Sequence, residues 1–411
     1  MYFALARHNI DPTWPIYIAV VLVLLVVAAS TLVEGRIAVK PDAAAAPIDT
    51  YPHATAVIAA YLPNEVDVIL DTLAAFGQLD YPGRLDVVLA YNTTPETRLL
   101  EGTIQDRFPR VQMLRVDSGS KAENVMAAVR ATSAEIIGVF DADHRPAPDV
   151  FTKAAERLAE GADVVQGRCV SGNASANLLT RLVAVEFEGM YGIDHVGRPR
   201  LHGWGIFGGS NGYWRTSTLR RIGLDSAVLT EDIDASVRLL RAGGRIVTDR
   251  TIISRELSPT TLGALWHQRL RWAQGWAQVA ARNASAIADP RLSRKQRTGL
   301  TWTLGVLQVY PWVAGQMFPL LAFWTVTGRP LHWVPLFVLT TVFTLAAPLV
   351  RLLFVWRVAV CPTWKQFVLS ALFSFPYSEL RNAAVRTAQV RELLGDRPWK
   401  VTPRPALLEA A

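Results

Sequence analysis

Ile136-Ile137-Gly138-Val139-Phe140-Asp141-Ala142-Asp143-His144 runs from five mostly aliphatic residues straight into two carboxylates and an imidazole. Such a run fits a strand buried on both faces, and the polar step after it fits the strand's C-terminal end. The pattern repeats along the chain. Apolar runs at Ala54–Ala60, Leu85–Ala90, Val111–Val116 and Val164–Gly167 alternate with amphipathic stretches such as Glu65–Phe76, Glu123–Ala131 and Val150–Glu160. Strands alternating with crossover helices predict an α/β domain with a parallel-rich sheet. Ligands of such sheets gather beyond the C-terminal strand ends. Polar residues stand there: Tyr61-Leu62-Pro63-Asn64-Glu65 after the first strand, Tyr91-Asn92-Thr93-Thr94 after the second, and the acid pair after the fourth. No glycine-rich fingerprint follows the first strand, which excludes a dinucleotide site of the usual kind.

Asp141 and Asp143 offer hard oxygen ligands to a divalent ion and leave positions open for diphosphate oxygens. Asp-x-Asp pairs also occur as solvated loop acids; the buried strand before this pair points to the metal. Thr230-Glu231-Asp232 precedes the helical run Ile233–Leu240. By itself this reads as an N-cap with acids in the first turn. A carboxylate near an acceptor hydroxyl is also what a general base requires, and Asp232 can serve. Ser120-Lys121-Ala122-Glu123-Asn124 opens a helix from which Lys121 reaches either a phosphate or solvent. Phe207-Gly208-Gly209-Ser210-Asn211-Gly212-Tyr213-Trp214-Arg215 suits close approach by a ligand or a tight strand turn. In Gln268-Arg269-Leu270-Arg271-Trp272, the residues Gln268, Arg271 and Trp272 share one helix face. They present an amide, a guanidinium fork suited to phosphate oxygens, and an indole suited to a sugar ring. Trp266 and Leu270 fall elsewhere and are expected to face lipid, making this an amphipathic helix at a membrane surface.

The membrane enters through composition. The chain has 411 residues, 51% of them hydrophobic, and a mean hydropathy of +0.21. Ile16–Val33 is uncharged and long enough to cross a bilayer. Only Arg7 precedes it and no small-residue cleavage site closes it, so a retained anchor is expected rather than a signal peptide. Further apolar blocks run from about Leu300 to Val326, from Leu331 to Val350 and, more briefly, from Phe367 to Phe375. Arg36 and Lys40 follow the first block, and Arg351, Arg357 and Lys365 follow the third. Arg381, Arg386, Arg391, Arg397, Lys400 and Arg404 crowd the tail. By the positive-inside rule the N-terminus lies outside, and the centre and tail are cytoplasmic at the plasma membrane. Two full spans must then follow the central region, with Phe367–Phe375 in the interface. Trp14, Tyr17, Trp302, Trp312 and Trp333 stand near segment ends as interfacial anchors. Loops flanking a membrane account for the net charge of +7, and no nucleic-acid partner is called for. Cys169 and Cys361 form no metal or redox spacing. The expected division is 1–40, tail and anchor; 41–258, cytoplasmic catalytic domain; 259–299, interfacial helix; 300–380, membrane or interfacial helices; and 381–411, basic cytoplasmic tail.

On these residues the chain resembles the family 2 glycosyltransferases, specifically the membrane-embedded branch of cellulose, chitin and hyaluronan synthases. The resemblance covers about Thr55 to Gln278, with its motifs in the family's order. It implies a GT-A, Rossmann-like glycosyltransferase domain with N- and C-terminal transmembrane helices. Asp141 and Asp143 match the acids that hold Mg²⁺ or Mn²⁺ and the nucleotide, and Asp232 matches the catalytic base. Gln268, Arg271 and Trp272 match the Gln-x-x-Arg-Trp motif, with Gln268 and Trp272 on the acceptor and Arg271 on the diphosphate. Lys121 and Asn124 sit where a Lys-Ala-x-x-x-Asn-like helix start is common. Glu65, Asn92 and Lys121 fall on the donor side, and Gly209, Ser210 and Glu231 beside the acceptor. Trp399-Lys400-Val401-Thr402 is similar to the end of several membrane-bound relatives. Two departures stand out. The second strand ends in Tyr91-Asn92 where the family usually has an acid, leaving Asn92 to bond a base edge and Tyr91 to stack on it. Leu62-Pro63 also stretches the first motif. The resemblance implies inverting, metal-dependent transfer from a nucleotide-diphospho-sugar, expected to be UDP-linked, to a growing glycan in β-linkage. The alternative is a non-processive enzyme adding one sugar to a lipid-linked acceptor. Membrane lipid is a partner in either case, and so small a bundle leaves room for a partner subunit in export.

Overall fold

The computed structural model describes residues 2–8, 13–328 and 334–396. Trp333, Arg397, Lys400, Arg404 and the stretch 399–402 lie outside the described residues. One mixed sheet carries the central domain. Its strands are β1 (Ala54–Tyr61), β2 (Leu85–Asn92), β3 (Val111–Arg115), β4 (Ile136–Asp141), β5 (Arg145–Pro146), β6 (Val164–Ser171), β7 (Gly212–Arg215) and β8 (Ile246–Glu256). Their spatial order is β3-β2-β1-β4-β7-β6-β8-β5. The pairs β1–β2, β2–β3, β1–β4 and β6–β8 are parallel; β7 runs antiparallel to both β4 and β6.

Side-chain alternation in β1 shows why the strand sits at the centre. Ala56, Ile58 and Ala60 pack into the layer formed by helices Ile69–Phe76 and Val150–Ala159, while Val57 and Ala59 meet helices Lys121–Ala131 and Glu231–Arg241. With both faces covered, the strand has no place for a charge until it ends. β2 and β4 flank β1 on opposite sides, so chain order reverses there and a crevice opens at the strand ends. Asn92 pairs in register with Tyr61, and Asp141 with Ala59, so the polar ends of three strands converge on that crevice.

Some boundaries differ from the sequence pattern. The stretch from Glu65 is split: Leu62–Glu65 makes one turn after β1, with Pro63 in its first turn, and the helix proper is Ile69–Phe76. The helix expected from Glu123 begins at Lys121, because the Ser120 side chain accepts from Glu123 N and caps it. β7 grows out of the glycine-dense stretch. β8, whose Ile-Val-Thr-Asp-Arg-Thr order has no clean alternation, forms through its pairing with β6.

Among the described residues three helical segments are long and apolar enough to cross a membrane: Thr13–Ala38, Arg294–Thr327 and Pro335–Val358. The first has 26 residues, a length of about 39 Å against a hydrocarbon core of about 30 Å. Trp364–Leu372 has only nine residues, about 14 Å, too short to cross. From Ser374 the chain forms one continuous helix to Leu393, which takes in residues 381–393 of the basic tail. This helix lies along the helix Leu262–Arg282, where Leu270 and Ala273 pack with Val385 and Ala388. Leu270 is therefore buried against protein and does not face lipid.

Candidate active site

A cavity of about 730 Å³ opens at the C-terminal ends of β1, β2 and β4 and extends to the three long apolar helical segments. Twelve of the candidates named from the sequence line it: Glu65, Asn92, Lys121, Asp141, Asp143, Gly209, Ser210, Glu231, Asp232, Gln268, Arg271 and Trp272.

At the strand-end side of the cavity, Asp141 and Asp143 stand on the step out of β4. Lys121 Nζ lies 2.5 Å from Asp141 Oδ1 and donates to the Gly209 carbonyl at 2.7 Å. The lysine thus joins the acid pair to the glycine loop. Burial alone lowers its pKa, but Asp141 and Glu231 more than offset this, so the ammonium stays protonated. Asp143 is 8% exposed, and its Oδ2 accepts from Leu257 N at 3.1 Å. His144 is fully buried behind the pair, with Nδ1 2.8 Å from Ser254 Oγ and Nε2 2.9 Å from Glu256 Oε2. One ligand atom from each of Asp141, Asp143 and His144 falls within 4.8 Å of the others. Since both nitrogens of His144 already have neighbours, the donors left for a metal at the cavity are carboxylate oxygens, a set that fits Mg²⁺ or Mn²⁺.

Asn92 and Tyr91 are committed to the scaffold. Asn92 Nδ2 donates to Ser118 O at 3.0 Å and its Oδ1 accepts from Asn124 Nδ2, which also donates to Ala60 O. Tyr91 is buried in the core and does not stack at the cavity. Glu65 is buried at the cavity wall, accepting from Asn64 Nδ2 at 3.1 Å.

Beside the acid pair, the glycine loop is built on one close approach. Gly209 has φ +84°, and a Cβ there would lie 2.8 Å from Asp232 Oδ2. Only glycine lets the loop take this conformation and the carboxylate come so near. Ser210 sits beneath the site: its Oγ accepts from Asp141 N at 3.0 Å, and its carbonyl accepts from Gln166 Nε2. Thr230 makes no side-chain cap to the helix it precedes, so the capping interpretation of Thr230-Glu231-Asp232 lacks its bond. Burial, followed by the neighbouring Glu231 charge, pushes the Asp232 pKa up to about 7. Glu231 is raised as well, again chiefly by burial.

The helix Leu262–Arg282 reaches this loop through Gly275, where a Cβ would fall 2.4 Å from Thr230 Cγ2. Gln268 brings a buried Oε1 without a hydrogen-bond partner among the described residues. The Arg271 charge is felt at Glu231. One face of Trp272 is taken by Arg269, whose Cζ lies 4.3 Å from the ring centroid. Sequence reasoning missed Arg269 and its partner Glu186, which also accepts from Tyr377 Oη at 2.6 Å. No local spacing marks a pair 83 residues apart in sequence.

Comparison with known proteins agrees with this geometry. The profile of glycosyl transferase family group 2 matches residues 136–364, more than half the chain, and the protein belongs to that family. Among curated relatives, a probable glucomannan 4-beta-mannosyltransferase of Arabidopsis thaliana is 27% identical over 245 residues, 56% of this chain and 44% of its own length. The beta-monoglucosyldiacylglycerol synthase of a Synechocystis strain is 28% identical over 235 residues, 56% of this chain and 48% of its own. The chain thus spans about half the length of these relatives. The mannosyltransferase PcManGT from Pyrobaculum calidifontis, solved with GDP-Man and Mn²⁺, superposes with a TM-score of 0.67 at 20% identity, covering 92% of this chain and 99% of that one. The fold is therefore GT-A-like, with apolar helices flanking the sheet domain.

Proposed function

We propose that this protein is an inverting, metal-dependent glycosyltransferase that moves a sugar from a nucleotide-diphospho-sugar to a hydroxyl at the membrane. The observation that carries this reading is the meeting of the Asp141–Asp143 pair, Gly209 and Asp232, joined by Lys121 and opened by the missing Cβ of Gly209. Asp141 and Asp143 would hold the divalent ion, which supplies Lewis-acid neutralisation of the leaving diphosphate. Asp232 takes the proton of the acceptor hydroxyl as that oxygen attacks the anomeric carbon from the far side. A single displacement inverts the centre and gives a β-linkage from an α-linked donor. Lys121 and Arg271 bring positive charge to the diphosphate, and the Trp272 edge and Gln268 border the acceptor.

The resemblance supports a UDP-linked donor, whereas the structural neighbour was solved with GDP-Man. A panel of UDP- and GDP-sugars assayed on the purified chain, read by nucleoside diphosphate release, decides between them. For the acceptor, a lipid-linked group is favoured because the cavity wall beyond Asp232 includes Val27, Leu307 and Pro348, one from each apolar segment. Extension of a growing glycan is the second reading, supported by the Gln-x-x-Arg-Trp face; labelled product that climbs to polymer size would select it. The basic flanks of the spans support a catalytic domain on the cytoplasmic side. Asp232→Asn is expected to retain donor binding and lose on the order of 10²–10⁴-fold in transfer. Full activity in that variant would remove Asp232 as the base.

A further inference from the structure

The cavity changes sign along its length. At the donor end, carboxylates outnumber cations. Among the described residues lining the membrane end there are four guanidinium groups, Arg198, Arg269, Arg351 and Arg381, against three carboxylates, Glu34, Glu186 and Asp194. The acids are shared rather than matched one to one. Asp194 takes Arg351 Nη2 at 2.9 Å and Arg198 Nη2 at 3.7 Å, while Glu186 takes Arg269 Nη2 at 2.6 Å and Arg381 Nε at 3.3 Å. Of these four arginines Glu34 pairs with Arg198, at 3.1 Å. Burial works against ionisation of Glu186 and Asp194, yet the arginines hold both carboxyls below their usual range. His195 adds no charge, since burial pulls its pKa down to about 4. The acids therefore orient the guanidiniums and leave a positive surplus. Gly189 makes the lodging possible: a Cβ there would lie 2.8 Å from Arg351 Nη1.

The surplus charge is open to the cavity, Arg381 being 54% exposed, and an anion can reach it there. Guanidinium is the group that meets phosphoryl oxygens with paired donors. We propose that this arginine cluster binds the phosphoryl group of a lipid-borne acceptor. The inference rests on the reading of Asp232 as the base, and that reading narrows the acceptor further. A phosphate oxygen is already anionic and needs no base, so the nucleophile is a separate sugar or polyol hydroxyl on the same headgroup. That oxygen bonds to the anomeric carbon and its proton passes to Asp232. The electron pair of the breaking anomeric C–O bond leaves with the nucleoside diphosphate.

The test uses the full chain in nanodiscs, with the donor identified by the nucleotide-sugar panel and two pairs of acceptors. One pair is a glycosyl-diphospho-polyprenol and the polyprenyl glycoside of the same sugar. The other is phosphatidylinositol and a glycosyl-diacylglycerol of matched acyl chains. The phosphorylated member of at least one pair is expected to have a kcat/KM roughly 10- to 100-fold above its neutral partner; which pair responds identifies the lipid class. Arg351→Gln should raise KM for that acceptor by a similar factor and leave its neutral partner and donor hydrolysis by water unchanged. Because Arg351→Gln strands Asp194, the double change Arg351→Gln with Asp194→Asn serves as the folding-safe variant and should show the same selective loss. Equal use of neutral and phosphorylated acceptors overturns the proposal, as does equal loss on both in the double variant. Transfer to neither lipid while donor is still hydrolysed also overturns it. Failure of the glycosyltransferase reading itself looks different: no nucleotide sugar in the panel is turned over at all.

Discussion

On the proposed reaction, Asp232 acts through its neighbours. Asp232 is held up to about 7 by burial and by Glu231. A base acts only when deprotonated, so the sign is fixed: kcat/KM should fall about tenfold per pH unit below roughly pH 7 and level off above it. A pH–rate profile at saturating metal checks this. Removing the like charge with Glu231→Gln should move the acid limb to lower pH, and a limb that stays in place would detach Glu231 from the base. The acids themselves were legible in the sequence because each follows a recognisable local pattern, a buried strand or a helix start. Thr230 was legible only as a cap it does not make. Arg269–Glu186 and Arg351–Asp194 were not legible at all, because side chains that meet across 83 and 157 residues leave no mark on local spacing.

Among the elements, the helix Leu262–Arg282 has the most exacting contacts. Its Gln268–Trp272 face was readable from helical periodicity, and so was its amphipathic character. Its outer face was expected to meet lipid but meets the helix Ser374–Leu393 instead, since apolar positions on a helix do not say whether lipid or protein covers them. Glu392 Oε2 accepts from Gln274 Nε2 at 3.0 Å and from Gln278 Nε2 at 2.9 Å. Gln278 Oε1 in turn accepts from Leu229 N at 2.9 Å, three residues before Asp232. Gly275→Ala intrudes on Thr230 in this same contact. It should cost about 1–3 kcal/mol of stability by overpacking. If the base loop shifts by about an ångström, kcat should fall on the order of 10²-fold. Thermal unfolding and kcat measured on one preparation separate the two effects, and unchanged kcat would show that the loop tolerates the push.

At the scale of the whole molecule, strand–helix alternation carried the first part of the sheet, where β1, β2 and β3 pair in sequence order. The second half depends on β7 running antiparallel between β4 and β6, and on β8 joining β6. Those pairings are settled by long-range packing and have no counterpart in local composition. The family match ends at residue 364, yet Tyr377, Arg381 and Glu392 contribute to the site from beyond it. A chain ended after residue 364 keeps all three apolar segments and every motif acid. It is expected to lose on the order of 10²-fold or more in transfer, because Leu229 and Arg269 lose the supports that position their surroundings. Transfer at the full-length rate from that shortened chain would show the last helix to be dispensable.

The bond from Glu392 through Gln278 to Leu229 also has a consequence for the order in which the protein is made. A ribosome releases the N-terminal apolar helix first, then the sheet with its acid pair, then the two later apolar helices, and Glu392 after all of them. The loop before Asp232 therefore receives this support only after the three apolar segments have been synthesised. A chain made only as far as the apolar segments carries Asp141 and Asp143 but lacks the bonds that run from Glu392 through Gln278 to Leu229. On the proposed reaction, readiness for transfer therefore waits on Glu392.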